Sequence, residues 1–114
     1  MYHKITPQQA KEFLDSGKNL VLLDVRTRPE YRERSIQGAL LLPNESIGED
    51  TLRQLPDRDV PLLVYCRSGR RSRQAAEKLV RLGYTQVYDF GGILDWPYGT
   101  VSGGQPQPHQ KGNQ

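Results

Sequence analysis

Short apolar runs separated by amphipathic stretches set the rhythm of this chain. Leu20–Leu23, Ala39–Leu42 and Leu62–Tyr65 are apolar at every consecutive position. Such runs predict strands buried on both faces. Tyr2–Ile5 and Gln86–Phe90 read as two further strands. Helical signals fall between them. Thr6, Pro7 and Gln9 form an N-cap, first-turn proline and capping-box pattern, with a stop at Gly17. Thr27 caps a short helix through Pro29, Glu30 and Tyr31. A short helix over Glu49–Leu55 ends at Pro56. The strongest helix is Ser72–Leu82, with Ala75, Ala76, Leu79 and Leu82 on one face and Gly83 as its stop. Gly91-Gly92 leads into a last short helix ending at Trp96. Strands alternating with helices predict an α/β fold: one mainly parallel five-stranded sheet with helices on both faces. Ligands of such sheets bind beyond the carboxyl ends of the strands.

The pattern fades at the end. Residues 101–114 read VSGGQPQPHQKGNQ, with almost no apolar side chain. The expected division is a domain over 1–100 and a disordered polar tail over 101–114. The whole chain has 114 residues and a formal charge of +3. That excess is too small, and too poor in interleaved aromatics, to suggest nucleic acid. No apolar run is long enough for a membrane-spanning helix. Residues 1–20 carry five charges in place of an apolar leader core, so the expected compartment is the cytoplasm. One cysteine excludes an internal disulfide and a multi-cysteine zinc site. His3 and His109 lie near opposite ends. No metal or cofactor is expected, and nothing demands more than a monomer.

The cysteine sits where a strand hands over to a helix, in VYCRSGRRSRQAAEKL. With Ser72 as the cap, Cys66 to Arg71 form a six-residue loop. A loop feeding a helix N-terminus gathers unpaired N–H groups that favour an anion. Gly69 permits tight curvature. Arg67, Arg70, Arg71 and Arg73 fall within eight residues of one another. Such surroundings are expected to pull a thiol from ~8.5 towards ~3.5–7.5. A buried structural cysteine would not account for four arginines and a glycine in the next seven residues. Arg73, inside the helix, is expected to point outward.

This loop resembles the active-site stretch of the single-domain rhodaneses, a sulfurtransferase family. The match runs from Cys66 through Arg67, Ser68, Gly69, Arg70 and Arg71 to Ser72. Asp24-Val25-Arg26, with Glu30-Tyr31, Ile36, Gly38-Ala39 and Pro43, resembles the family's first motif, and Gly91-Gly92 with Trp96 its last. Arg34-Ser35 stand where the family usually has Gly-His. The resemblance implies that Cys66 attacks the outer sulfur of thiosulfate or a related small anionic donor, and becomes a persulfide. An acceptor (cyanide, a thiol or a protein) then takes the sulfur. The loop amides would hold the anionic sulfur, and Arg67, Arg71 and Arg70 would contact the donor, with no cofactor. Asp24 and Arg26 are supporting residues, expected to serve mainly as a structural pair with Glu30 or a loop amide. Trp96 is expected to pack.

Other functions share parts of this pattern. Cysteine phosphatases also use a cradle, but with arginine six residues after the cysteine. Here that position is Ser72, and arginine falls at Arg71 and Arg73. Arsenate reductase chemistry fails on the same count. A non-enzymatic binding or regulatory module would not need the nucleophile. A protein-specific sulfur carrier would keep the chemistry and narrow the acceptor.

Overall fold

Two threonines each launch a helix by the same device. Thr6 Oγ1 accepts from the Gln9 amide, while the Gln9 side chain accepts from the Thr6 amide. Thr27 and Glu30 repeat the arrangement. Both helices carry proline in their first turn, where no N–H is needed. The computed structural model describes residues 2–104. In chain order the elements are β1 (Tyr2–Lys4), α1 (Pro7–Asp15), β2 (Val21–Asp24), α2 (Arg28–Glu33), β3 (Leu40–Leu41), α3 (Thr51–Gln54), β4 (Leu62–Cys66), α4 (Arg70–Arg81) and β5 (Val87–Gly92). Single 3-10 turns occur at Asn44–Ser46 and Ile93–Asp95.

The strands form one five-stranded sheet in the order β1-β5-β4-β2-β3. Every neighbouring pair is parallel. Alternate side chains point to opposite faces, so the apolar runs build two cores. On one face Leu23, Leu62, Val64 and Cys66 pack with Ala75, Ala76 and Leu79 of α4 and Leu55 after α3. On the other, Leu22, Leu63, Tyr65 and Phe90 pack with Ala10 of α1, Tyr31 of α2 and Trp96. Helices therefore cover both faces, as the apolar runs required. All five strands end on one edge, and β4 delivers Cys66 there. No helix of the described residues is long and apolar enough to cross a membrane.

Several sequence boundaries shift, and the expected Ala39–Leu42 strand is reduced to β3. The helix expected over Glu49–Leu55 shrinks to α3, because Leu55 leaves helical backbone (φ −129°, ψ 75°) just before Pro56. The expected tail also begins too early. Val101 and Ser35 exchange two backbone hydrogen bonds of 2.8 Å, and the Gly103 amide donates to Arg32 O at 2.7 Å. The chain is thus tied to the domain past residue 100. The remainder of that expected tail, 105–114, lies outside the described residues. Ending the chain after Thr100 rather than after Gly104 removes these three bonds. The shorter form should lose about 1–3 kcal/mol, read as a lower urea midpoint.

Candidate active site

The cysteine loop is shorter than its sequence suggests. α4 begins at Arg70, and its N-cap is Gly69 in left-handed backbone (φ +111°) with no side-chain cap. Ser72 is therefore not the cap. It is buried in the first turn, where its hydroxyl donates to Gly69 O at 3.1 Å and Gly91 O at 3.3 Å. The cap signal failed because glycine turns the chain before serine is reached. Only Arg67, Ser68 and Gly69 separate β4 from α4. The first bond of the α4 ladder runs from the Arg73 amide to Gly69 O (3.3 Å). The amides of Arg70, Arg71 and Ser72 thus have no partner within the helix.

Cys66 Sγ sits beneath this turn. The residue is only 1% exposed. The Gly69 N–H donates to Sγ at 3.0 Å. The amide hydrogen thus points at the sulfur from the start of α4. The sequence placed the glycine for curvature. The structure shows that the same residue also delivers the donor.

The loop is pressed into place by β5. A bulge between Val64 and Cys66 sets Cys66 opposite Gly92. A Cβ on Gly92 would lie 2.6 Å from Ser68 Cα, and closer still to the Arg67 carbonyl. Only glycine permits that approach. The Leu94 amide then donates to Arg67 O at 3.2 Å. Asp89, fully buried, holds the turn from behind: its carboxylate accepts from the Gly91 amide (2.9 Å) and from Tyr2 Oη (3.1 Å). Sequence reasoning missed Asp89. A single aspartate in a strand carries no signal of what it will meet.

The first-motif residues form a buried brace. Asp24 accepts two bonds from the Arg26 guanidinium, 2.9 and 2.7 Å, and one from the Arg26 amide, 3.0 Å. It also accepts from Tyr65 Oη at 2.7 Å, and that phenol accepts from the Ile36 amide. Tyr65 immediately precedes Cys66, so the brace fixes the end of β4. Burial, then the Asp24 charge, raise the Tyr65 phenol and keep it a neutral donor. Burial alone would lower the Arg26 guanidinium, but Asp24 outweighs it and the net direction is upward. The structural pair expected for Arg26 exists. Its partners are Asp24 and the Arg34 carbonyl rather than Glu30 or a loop amide.

The arginines divide. Arg67 and Arg70 are exposed, and among the described residues neither has a carboxylate partner. Arg73 also points outward, 3.8 Å from Glu77. Arg71 differs. Its guanidinium makes a two-pronged pair with Glu30 of α2, at 2.8 and 2.9 Å. Arg71 holds the Glu30 carboxyl at about 2, against a usual 4.5. The same pair raises Arg71, and the charge on Cys66 adds to that. Trp96 packs against Phe90, ring centres 5.3 Å apart. Among the described residues no group of side chains could hold a metal ion.

A parallel sheet whose fourth strand ends in a cysteine under a helix N-terminus defines a class of protein. The rhodanese-like domain family matches residues 6–97, and this chain belongs to that family. Thiosulfate sulfurtransferase PspE of Escherichia coli is 37% identical over 81 residues, covering 71% of this chain and 78% of PspE. Thiosulfate sulfurtransferase GlpE of Actinobacillus succinogenes is 38% identical over 96 residues, covering 83% of this chain and 84% of GlpE. A solved structure of a rhodanese with anions from E. coli superposes with a TM-score of 0.67 at 36% identity, covering 73% of this chain and 98% of that one.

Two outcomes test this geometry. Gly92→Ala must displace Arg67 and Ser68. It should cost on the order of 1–3 kcal/mol and slow alkylation or sulfuration of Cys66. Glu30 is depressed in the folded state, so its contribution is complete above its unfolded value near 4.5 and disappears as pH falls towards 2. Wild type should exceed Glu30→Gln by about 1 kcal/mol at pH 7, and the difference should vanish near pH 2 in urea titrations.

Proposed function

We propose that this protein is a thiosulfate sulfurtransferase that carries the transferred sulfur on Cys66. The observation that carries the reading is the Gly69 amide aimed at Cys66 Sγ, 3.0 Å away, at the strand end where this fold binds ligands. The two named relatives above are thiosulfate sulfurtransferases, and both match most of the chain.

The Cys66 thiolate attacks the outer sulfur of thiosulfate. A new S–S bond forms to Sγ, the S–S bond of thiosulfate breaks, and sulfite leaves with the electron pair. The product is a Cys66 persulfide whose terminal sulfur is anionic. The amides of Gly69 to Ser72 stabilise that charge as an oxyanion hole stabilises an alkoxide. Arg67 and Arg70, exposed and without carboxylate partners, attract the incoming anion. Arg71 contributes its amide, and its side chain ties the loop to α2. Ser68 and Gly69 keep the turn open to the donor, and Ser72 pins it to Gly91. Asp24 and Arg26 support β4 and touch no reactant.

In the second half-reaction a nucleophile attacks the terminal sulfur. With cyanide the product is thiocyanate and the Cys66 thiolate returns. A thiol does the same chemistry and becomes a persulfide. A protein thiol is a suitable acceptor as well, because the terminal sulfur would project from an exposed cationic rim.

Steady-state thiocyanate formation tests the reading. Initial rates should give parallel double-reciprocal lines in thiosulfate and cyanide, the mark of a two-step exchange. Cys66→Ser should form no thiocyanate; turnover in that variant contradicts the mechanism. Arg67→Ala should raise the thiosulfate KM about fivefold at low salt, the weight of roughly 1 kcal/mol from an exposed pair. The effect should shrink at ~0.15 M salt.

A further inference from the structure

The loop spends three arginines on its surface side but offers only two to a donor. The third is held, and its holder comes from another element. Glu30 lies 41 residues before Arg71, on α2. Each of its carboxylate oxygens takes one guanidinium nitrogen, at 2.8 and 2.9 Å. This two-pronged geometry is the strongest ion pair that arginine makes with a carboxylate. The side chains are only 31% and 25% exposed, so solvent screens the pair weakly. Glu30 is itself fixed, since its Oε1 also accepts from the Thr27 amide and hydroxyl, both at 2.9 Å. The pair is therefore held by a helix cap, and it stays charged throughout the neutral range.

Arg71 nevertheless belongs to the first turn of α4, the turn that sits over the sulfur. It is two residues beyond Gly69, whose amide meets Sγ, and the charge on Cys66 acts on its guanidinium. An arginine there, if unpaired, would place a planar fork of donors beside the donor anion. Paired with Glu30, its charge is neutralised and its two-Nη edge is occupied.

We propose that Glu30 sets the donor preference of this site, by withholding the Arg71 guanidinium and so tuning the cradle away from dianions towards sulfane-sulfur donors of lower charge. This rests on the sulfurtransferase reading above. Arg67 and Arg70 supply the long-range attraction, and Glu30 limits how strongly a doubly charged donor is held. Organic thiosulfonates and persulfides, which carry one negative charge, forfeit least by the loss of Arg71. Thiosulfate, with two, forfeits most.

Glu30→Gln is the test, because glutamine keeps an oxygen for the Thr27 cap and releases the arginine. Kinetics are read with cyanide as acceptor and either thiosulfate or methanethiosulfonate as donor. The thiosulfate KM should fall about tenfold, and the methanethiosulfonate KM by about threefold, as expected when one charge acts on a dianion and on a monoanion. Removing a carboxylate changes the local field whatever Arg71 does, so the same substitution is also made in Arg71→Gln. The thiosulfate gain there should be at least about fivefold smaller, since the fork is gone. Equal gains in the two backgrounds would overturn the proposal. So would a thiosulfate KM that stays or rises in Glu30→Gln. If Glu30→Gln does not fold, Arg71→Lys serves instead. It keeps the charge and loses the fork, and should raise the thiosulfate KM less than Arg67→Lys does; an equal or larger rise contradicts the assignment. Wild-type protein that forms no thiocyanate would sink the sulfurtransferase reading itself, which separates that failure from this one.

Discussion

A buried sulfur that must react needs a donor that cannot move away, and here that donor is one backbone amide. The Gly69 N–H reaches Cys66 Sγ only because the chain reverses within three residues and enters α4 through left-handed backbone. Everything around the loop enforces that reversal. β4 brings the sulfur to the strand ends. Gly92 lets β5 approach the Arg67 and Ser68 backbone more closely than any side chain would allow. Ser72 stitches the first turn of α4 to Gly91 at the end of β5, and Leu94, just beyond that strand, stitches the loop at Arg67. The fold thus holds the Ser-Gly turn from both β5 and α4, in the shape the proposed mechanism needs for an anion.

The charges are arranged in two tiers. The lower tier is buried: Asp24, balanced by Arg26 and bonded to Tyr65 under β4, and Asp89, bonded to Tyr2 behind the glycine turn with the exposed Lys4 ammonium 4.0 Å away. The buried Asp24–Arg26 ion pair adds little stability over an apolar pair, but removing one partner is costly. Its value here is positional. The upper tier is exposed, with Arg67 and Arg70 facing solvent and Arg71 tied to Glu30. In the proposed mechanism attraction and positioning are therefore done by different residues. That division lets the rim vary in charge while the cradle keeps its shape.

Much of this was legible in the sequence, and the reasons differ by feature. The strands were legible because parallel strands are apolar at consecutive positions, as Leu62–Tyr65 shows. The first two helix starts were legible because Thr-Pro with a third-residue Gln or Glu is a local signal. Cys66 stood out through the loop it opens. The start of α4 was misread because a serine that looks like a cap lies three residues past the glycine that acts as one. The pairing of Arg71 with Glu30 was invisible, since nothing local links residues 41 apart. Asp89 and the Val101 bridge were missed for the same reason. Gly91-Gly92 were legible as the link into the last short turn and as part of the family's last motif, but the crowding at Gly92 exists only once β5 meets the loop.

The central claim is that Cys66, under its amide, accepts and holds one sulfur atom. Intact mass after incubation with thiosulfate measures that directly. The account predicts a gain of one sulfur, ~32 Da, lost on adding cyanide and absent in Cys66→Ser. An unchanged mass for wild type, or the same gain in Cys66→Ser, would contradict it.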